Sequence, residues 1–205
     1  MKLRTLLVVA ILAVAFASAY GGTAANEDLK FALHIEQHAT RSCTEGMPSM
    51  GTRDDLHRVH DTYEDIDVFF VVFGFDSIAG VQYGLVWPEA WGSATTTYCS
   101  DFAIGSIVNP GDGMAMTWVS CQIGGAVPAF WPVSWSYMVP TSEGEIKISD
   151  NRTASALTAF SCLFVESEPE SVFYAGINVD PYEGPPGGEV AIEPKTWGQV
   201  KAMFR

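Results

Sequence analysis

Residues 66–75 read Ile66-Asp67-Val68-Phe69-Phe70-Val71-Val72-Phe73-Gly74-Phe75. One charge sits near the front, and almost every other side chain is β-branched or aromatic. An apolar run of this length without a helical period predicts a strand buried on both faces, at the centre of a sheet. Asp76-Ser77 is a short turn, and residues 80–87 (GVQYGLVW) resume the strand pattern, which predicts a hairpin.

The pattern extends outward in both directions. Phe31, Leu33 and Ile35 alternate with Ala32, His34 and Glu36. Met114, Met116 and Trp118 alternate with Ala115, Thr117 and Val119. Val133, Trp135, Tyr137 and Val139 alternate with Ser134, Ser136 and Met138, and Ile146 and Ile148 with Glu145 and Lys147. Residues 156–165 and 172–179 complete the set. Turn clusters separate these runs at Asn109-Pro110-Gly111-Asp112-Gly113, Gly124-Gly125, residues 140–144 and Asp150-Asn151. Some eight or nine short strands without long helices predict an all-β fold, an antiparallel β-sandwich of immunoglobulin-like or jelly-roll type. Within the polar stretch 40–64, residues 53–60 are expected to form one helical turn.

The chain has 205 residues, 48% hydrophobic and 17% charged, with a formal net charge of −13. That hydrophobic content excludes a disordered chain, and the acidic balance argues against nucleic acid as a partner. Lys2 and Arg4 precede an apolar run over residues 6–16, followed by Ala17-Ser18-Ala19 and Thr23-Ala24-Ala25. This is the pattern of a secretory signal peptide, residues 1–25, too short in its apolar part for a membrane span. Removing Lys2 and Arg4 leaves 9 basic residues against 24 acidic ones, a net charge of −15. The sandwich is expected over 26–180, a Pro/Gly linker over 181–194 and a basic amphipathic tail over 195–205. In the tail, Thr196 can cap a short helix that sets Trp197, Val200 and Phe204 on one face, beside Lys201 and Arg205.

Four cysteines, Cys43, Cys99, Cys121 and Cys162, fit two disulfides in an exported protein. Of the three possible pairings, Cys99–Cys121 with Cys43–Cys162 is the expectation, because the first closes a short loop between neighbouring strands. No C-x-x-C spacing supports zinc.

Catalytic signatures are sparse. The chain has no G-x-S-x-G, no H-E-x-x-H and no phosphate-binding glycine loop. His34, Glu36 and His38 would share a strand face, and His57 and His60 a helix face, so His34, Glu36 and His57 are the candidate metal or hydrolase residues. Asp54, Asp55, Asp61, Glu64, Asp65 and Asp67 form an acidic cluster that could hold Ca2+, although it lacks EF-hand spacing. No cofactor is otherwise implied. Trp87, Trp91, Phe130, Trp131 and Trp135 are expected mainly in the core. Trp91 and Trp131 flank turns, which makes them the candidates for an exposed platform that stacks on sugar rings.

Residues 67–87, and within them Ile78-Ala79-Gly80-Val81-Gln82-Tyr83, resemble the early hairpin of cohesin-like bacterial β-sandwich modules. Where those modules continue with Tyr-Asp, this chain has Trp87-Pro88, and none of their binding residues transfers. The end of the chain, from Thr196-Trp197-Gly198-Gln199-Val200-Lys201 to Phe204-Arg205, resembles a short basic-aromatic tail on exported bacterial proteins. That resemblance implies a sorting or docking tag. The combined expectation is a secreted, non-enzymatic binding or surface-structural module whose partner is a protein or a glycan. A carbohydrate-binding module using Trp91 and Trp131 is the alternative, and a metal-dependent hydrolase the less favoured one.

Overall fold

The computed structural model describes residues 26–36, 56–124, 131–151 and 156–186, without the side chains of Trp131 and Pro132. The expected signal peptide, the tail and its helix lie outside the described residues. The first strands are β1 (Lys30–Glu36), β2 (Val59–His60), β3 (Ile66–Phe73), β4 (Ser77–Val86), β5 (Thr95–Tyr98), β6 (Phe102–Gly105) and β7 (Gly113–Ile123). There follow β8 (Trp131–Met138), β9 (Gly144–Ser149), β10 (Thr158–Phe160), β11 (Glu166–Ser167), β12 (Ser171–Phe173), β13 (Ala175–Ile177) and β14 (Glu183–Gly184). A 3-10 turn at Glu89–Trp91 is the one helical element among the described residues.

These strands form two sheets. One has the order β14-β12-β1-β3-β8-β5. The other runs β11-β10-β4-β9-β13-β2, with β7 also on β4 and β6 on β7. The fold is therefore the expected all-β sandwich. Its pairing is antiparallel except between β1 and β12 and between β13 and β2, which are parallel. Residues 56–60 form no helical turn. Val59 and His60 pair beside Gly176 and Ile177 as β2.

β3 occupies the place its sequence implies. It is buried on both faces and flanked by β1 and β8. Ile66, Val68, Phe70 and Val72 face the inter-sheet core, with Phe31 and Leu33 of β1, Val81, Tyr83 and Leu85 of β4, and Ile146 and Ile148 of β9. Phe69, Val71 and Phe73 point outward into a second apolar cluster with Ala32, Trp135 and Phe173, which Leu56, Tyr137 and Cys99 border.

The expected hairpin does not form, because β3 and β4 belong to different sheets. Both edges of β3 are already taken, so the chain crosses the sandwich instead. Asn26 holds that crossing by accepting the Asp76 and Ser77 N–H groups at Oδ1, 3.0 and 3.2 Å away. Gly74 has φ +69°, and a Cβ there would sit 2.1 Å from the Asp28 carbonyl oxygen, so glycine is required.

The alternation in β8 resolves against size. Ser134 and Ser136, both buried, face inward, while Trp135 joins the outer cluster. The space between the sheets is filled from the other side. Tyr83 stacks on Phe70 with ring centroids 3.8 Å apart. The Tyr83 hydroxyl shares a short hydrogen bond with Ser134 Oγ, and Ser136 Oγ meets Thr96 Oγ1 at 2.8 Å. Small hydroxyls thus satisfy one buried phenol, whose ionisation burial pushes far upward.

Candidate functional site

Three places bear on function, and the first is the imidazole cluster. His34 is fully buried on the outward face of β1, and its ring stacks on that of His57 with centroids 5.4 Å apart. The His57 backbone N–H donates to His34 Nδ1 at 3.0 Å, and the Ile35 N–H donates to the His57 carbonyl at 2.7 Å. His34 Nδ1 is therefore an acceptor, which leaves the neutral ring's proton on Nε2, 3.4 Å from Glu36 Oε1. That approach is not an aligned hydrogen bond, and with the ring neutral it is not an ion pair.

Burial holds the His34 pKa below its ordinary value, and the nearby Glu36 carboxylate only partly offsets this. Nδ1 is thus committed to the backbone, whereas the buried Nε2 has no aligned hydrogen-bond partner among the described residues. The imidazole fastens the segment at His57, just before β2, onto β1. His60 lies apart on β2, where its Nε2 meets Thr62 Oγ1 at 2.9 Å. Of the acidic cluster, Asp61 and Glu64 are exposed and Asp67 is buried on β3. No group of three metal-ligating side chains converges among the described residues. His38, Asp54 and Asp55 lie outside the described residues.

The second place is the proposed aromatic platform. Trp91, expected at the surface, is only 5% exposed. The 3-10 turn folds its ring under the 140–144 loop, where its indole N–H donates to Ser142 O and Oγ, each 3.1 Å away. A Cβ at Gly144 would lie 3.2 Å from the Trp91 ring, so the loop closes on it. Trp91 is a core residue with a satisfied polar edge and presents no ring face to a sugar. Trp131 lies on β8 opposite Val72, and its side chain is outside the description.

The third place was not anticipated. β6 pairs with β7 alone among the described residues. By register Phe102 and Ile104 stand beside Thr117 and Ala115, on the outward face of the larger sheet. They are 69% and 77% exposed, and Val119 and Phe164 are 83% exposed. The Val119 N–H donates to the Asp101 carboxylate at 2.7 Å, fixing the far part of β7 against the start of β6.

The disulfide extends this face. Cys121 pairs with Cys162, so neither expected bridge, Cys99–Cys121 or Cys43–Cys162, forms. The reason is the topology: β7 and β10 flank β4 on opposite sides, and the bridge crosses the outer face of β4. Cys99 is also disulfide-bonded, and its partner lies outside the described residues. Beside Cys162, the Ser161 Oγ accepts the Leu163 and Val165 N–H groups, closing a tight turn. Phe164 sits in this turn at φ 60°, a conformation that bulky residues avoid and that costs about 1–3 kcal/mol.

Together these features make an apolar outer surface: Phe102, Ile104 and Val119 across β6 and β7, and Leu163 with Phe164 beyond the disulfide. Its acidic neighbours are Asp101, next to Phe102, and Glu166 on β11, two residues past Phe164. Lysine and arginine are missing from β6, β7, β10 and β11, since the described cations are Lys30, Arg58 and Lys147. The signal was available in the sequence. Phe102/Ile104 alternate, and Val119 and Ile123 are apolar out of phase with Met114 and Met116.

No family model matches the chain, and no curated protein matches it. Among solved structures it is similar to the second type II cohesin module from the cellulosomal adaptor ScaA scaffoldin of Acetivibrio cellulolyticus. The identity is 9% and the TM-score 0.45, over 76% of this chain and 99% of that one. It is also similar to the same module including its long C-terminal linker, at 10% identity and a TM-score of 0.44, over 83% and 97% of the two chains.

Proposed function

We propose that this chain is an exported, non-catalytic β-sandwich that works as a binding or surface-structural module, with the β6–β7 outer face as its contact surface. One observation carries the reading: Phe102, Ile104, Val119 and Phe164 are each more than two-thirds exposed on one side of the sandwich. Isolated apolar side chains on a surface are ordinary. Several together, with one aromatic held in a strained turn, mark a place for a partner. The disulfides and the leader-like first 25 residues support export. The hydrogen bond that commits His34 Nδ1 to the backbone supports a structural role for this buried imidazole.

The test is the double variant Phe102→Ser/Ile104→Ser in the mature chain. Both side chains lie outside the core of the sandwich, so Tm is expected to change by less than about 4 °C, the equivalent of about 1 kcal/mol for a body of this size. A larger fall makes them stability residues and overturns the contact-surface reading. Steady turnover on a hydrolase substrate panel, abolished by a single carboxylate or serine change, overturns the non-catalytic one.

A further inference from the structure

We infer that the occupant of the β6–β7 face is the chain's own C-terminal segment, residues 195–205. This rests on the contact-surface reading above and assigns that surface a partner.

Three observations point to it. The first is charge. The face is apolar with acidic neighbours and carries no cation on its own strands among the described residues. The tail has the complementary make-up. Lys195, Lys201 and Arg205 are three of the nine basic residues left after the leader, and they accompany Trp197, Val200 and Phe204. The second is shape. Spacings of three and seven place those three apolar side chains along one helix face, and an isolated helix of this length is marginal in water without a surface to lie on.

The third is where the described chain ends. Tyr182 donates its backbone N–H to Glu145 Oε1 on β9, at 2.5 Å, and Glu183–Gly184 then pair with β12 as β14, so the described chain leaves from the edge of the smaller sheet, beside β9. From β9 the order runs through β4 and β7 to β6, three strand spacings or about 14 Å. The face lies toward the Ser77 end of β4, whereas β9 pairs with Gly84, Leu85 and Val86. That offset along the strand is about 20 Å. Eleven residues from Pro186, the last one described, to Trp197 span up to about 38 Å when extended, more than the separation measured from β9. A tether of this kind raises the local concentration of the tail to the millimolar range, so a weak contact suffices.

The docked tail covers Phe102 and Ile104 with Trp197 and Phe204, and the basic groups stand beside Asp101. A tail that leaves the face would expose it, which makes the tail a competitor for any outside partner of similar chemistry.

Limited trypsin digestion of the full mature chain tests this, reading cleavage after Lys195 and Lys201 by mass. A synthetic peptide of residues 187–205 serves as the undocked reference. The wild-type chain is expected to be cut at least fivefold more slowly than the peptide. Phe102→Ser/Ile104→Ser and, separately, Trp197→Ala/Phe204→Ala are expected to restore the peptide's rate. Equal rates for wild type and both variants overturn the docking. If Phe102→Ser/Ile104→Ser keeps its Tm in that case, only the occupant is wrong and the contact surface stands. If that variant loses more than about 4 °C, the surface reading fails and the docking falls with it.

Discussion

Replacing both members of the Cys121–Cys162 bridge, as Cys121→Ser/Cys162→Ser, removes a cross-link that spans 41 residues. Cys121 is exposed and Cys162 half-buried, so the serines lose little burial and create no cavity. The main change is in the unfolded chain, which regains the freedom of a loop of that size. In the chain-entropy description this is worth about 4 kcal/mol at 25 °C. For a domain near 160 residues, each 1 kcal/mol corresponds to about 2–4 °C, so Tm is expected to fall by about 8–16 °C. Scanning calorimetry under non-reducing conditions measures it. Far-UV dichroism at 20 °C should be unchanged, since the strands on either side of the bridge remain paired with β4. A fall below about 3 °C refutes the argument that this bridge restrains the unfolded chain. Peptide mapping of the unreduced protein that finds Cys99 joined to Cys121 refutes the topology behind it. With four cysteines in the sequence, the mapping is expected to return Cys121–Cys162 and Cys43–Cys99.

Three further outcomes are expected. Phe70→Ala removes a fully buried ring that stacks on Tyr83 and meets Phe31 edge-on at 5.2 Å, and should cost about 3–5 kcal/mol in urea unfolding. Trp91→Ala should destabilise by a comparable amount while leaving binding on a glycan array unaltered, because Trp91 lies under the 140–144 loop. His34 should make stability depend on pH. Its folded pKa is lowered by burial, so the unfolded chain binds the proton more readily. Its contribution is complete above its ordinary value of 6.5 and is lost as pH falls below that toward the folded value. Denaturant midpoints between pH 8 and pH 5 should fall for wild type more steeply than for His34→Gln, and parallel curves would exclude the imidazole as the source.

The core was largely legible in the residues. The unbroken apolarity of 66–75 implied a strand with no wet face, and β3 has none. Alternation placed Phe31, Leu33, Met114, Met116, Ile146 and Ile148 on one side of their strands, and all are buried there. Turn chemistry at 109–113 was equally direct, with the Asp112 carboxylate accepting the Asn109 N–H at 2.8 Å. Short strands were harder. Thr95-Thr96-Thr97-Tyr98 and Phe102-Ala103-Ile104 carry too little pattern to stand out, yet they form β5 and β6 and decide what the surface offers. The Pro/Gly stretch 181–194 was expected to leave the body at once. Its first residues instead join it, with Glu183 pairing with Phe173 as β14 and accepting from Arg58 at 2.8 Å.

Composition and periodicity determined by themselves that this chain buries two-sided and one-sided strands in a sandwich, because transfer of apolar side chains from water depends on local pattern. Which strands share a sheet depended on contacts far apart in sequence, and a local pattern carries no record of them. Only in three dimensions does the chain after Phe75 cross to the opposite sheet, Cys121 meet Cys162, Trp91 turn inward and Phe102 stay outside the core. Each of these follows from which edges and volumes were already filled by other parts of the chain.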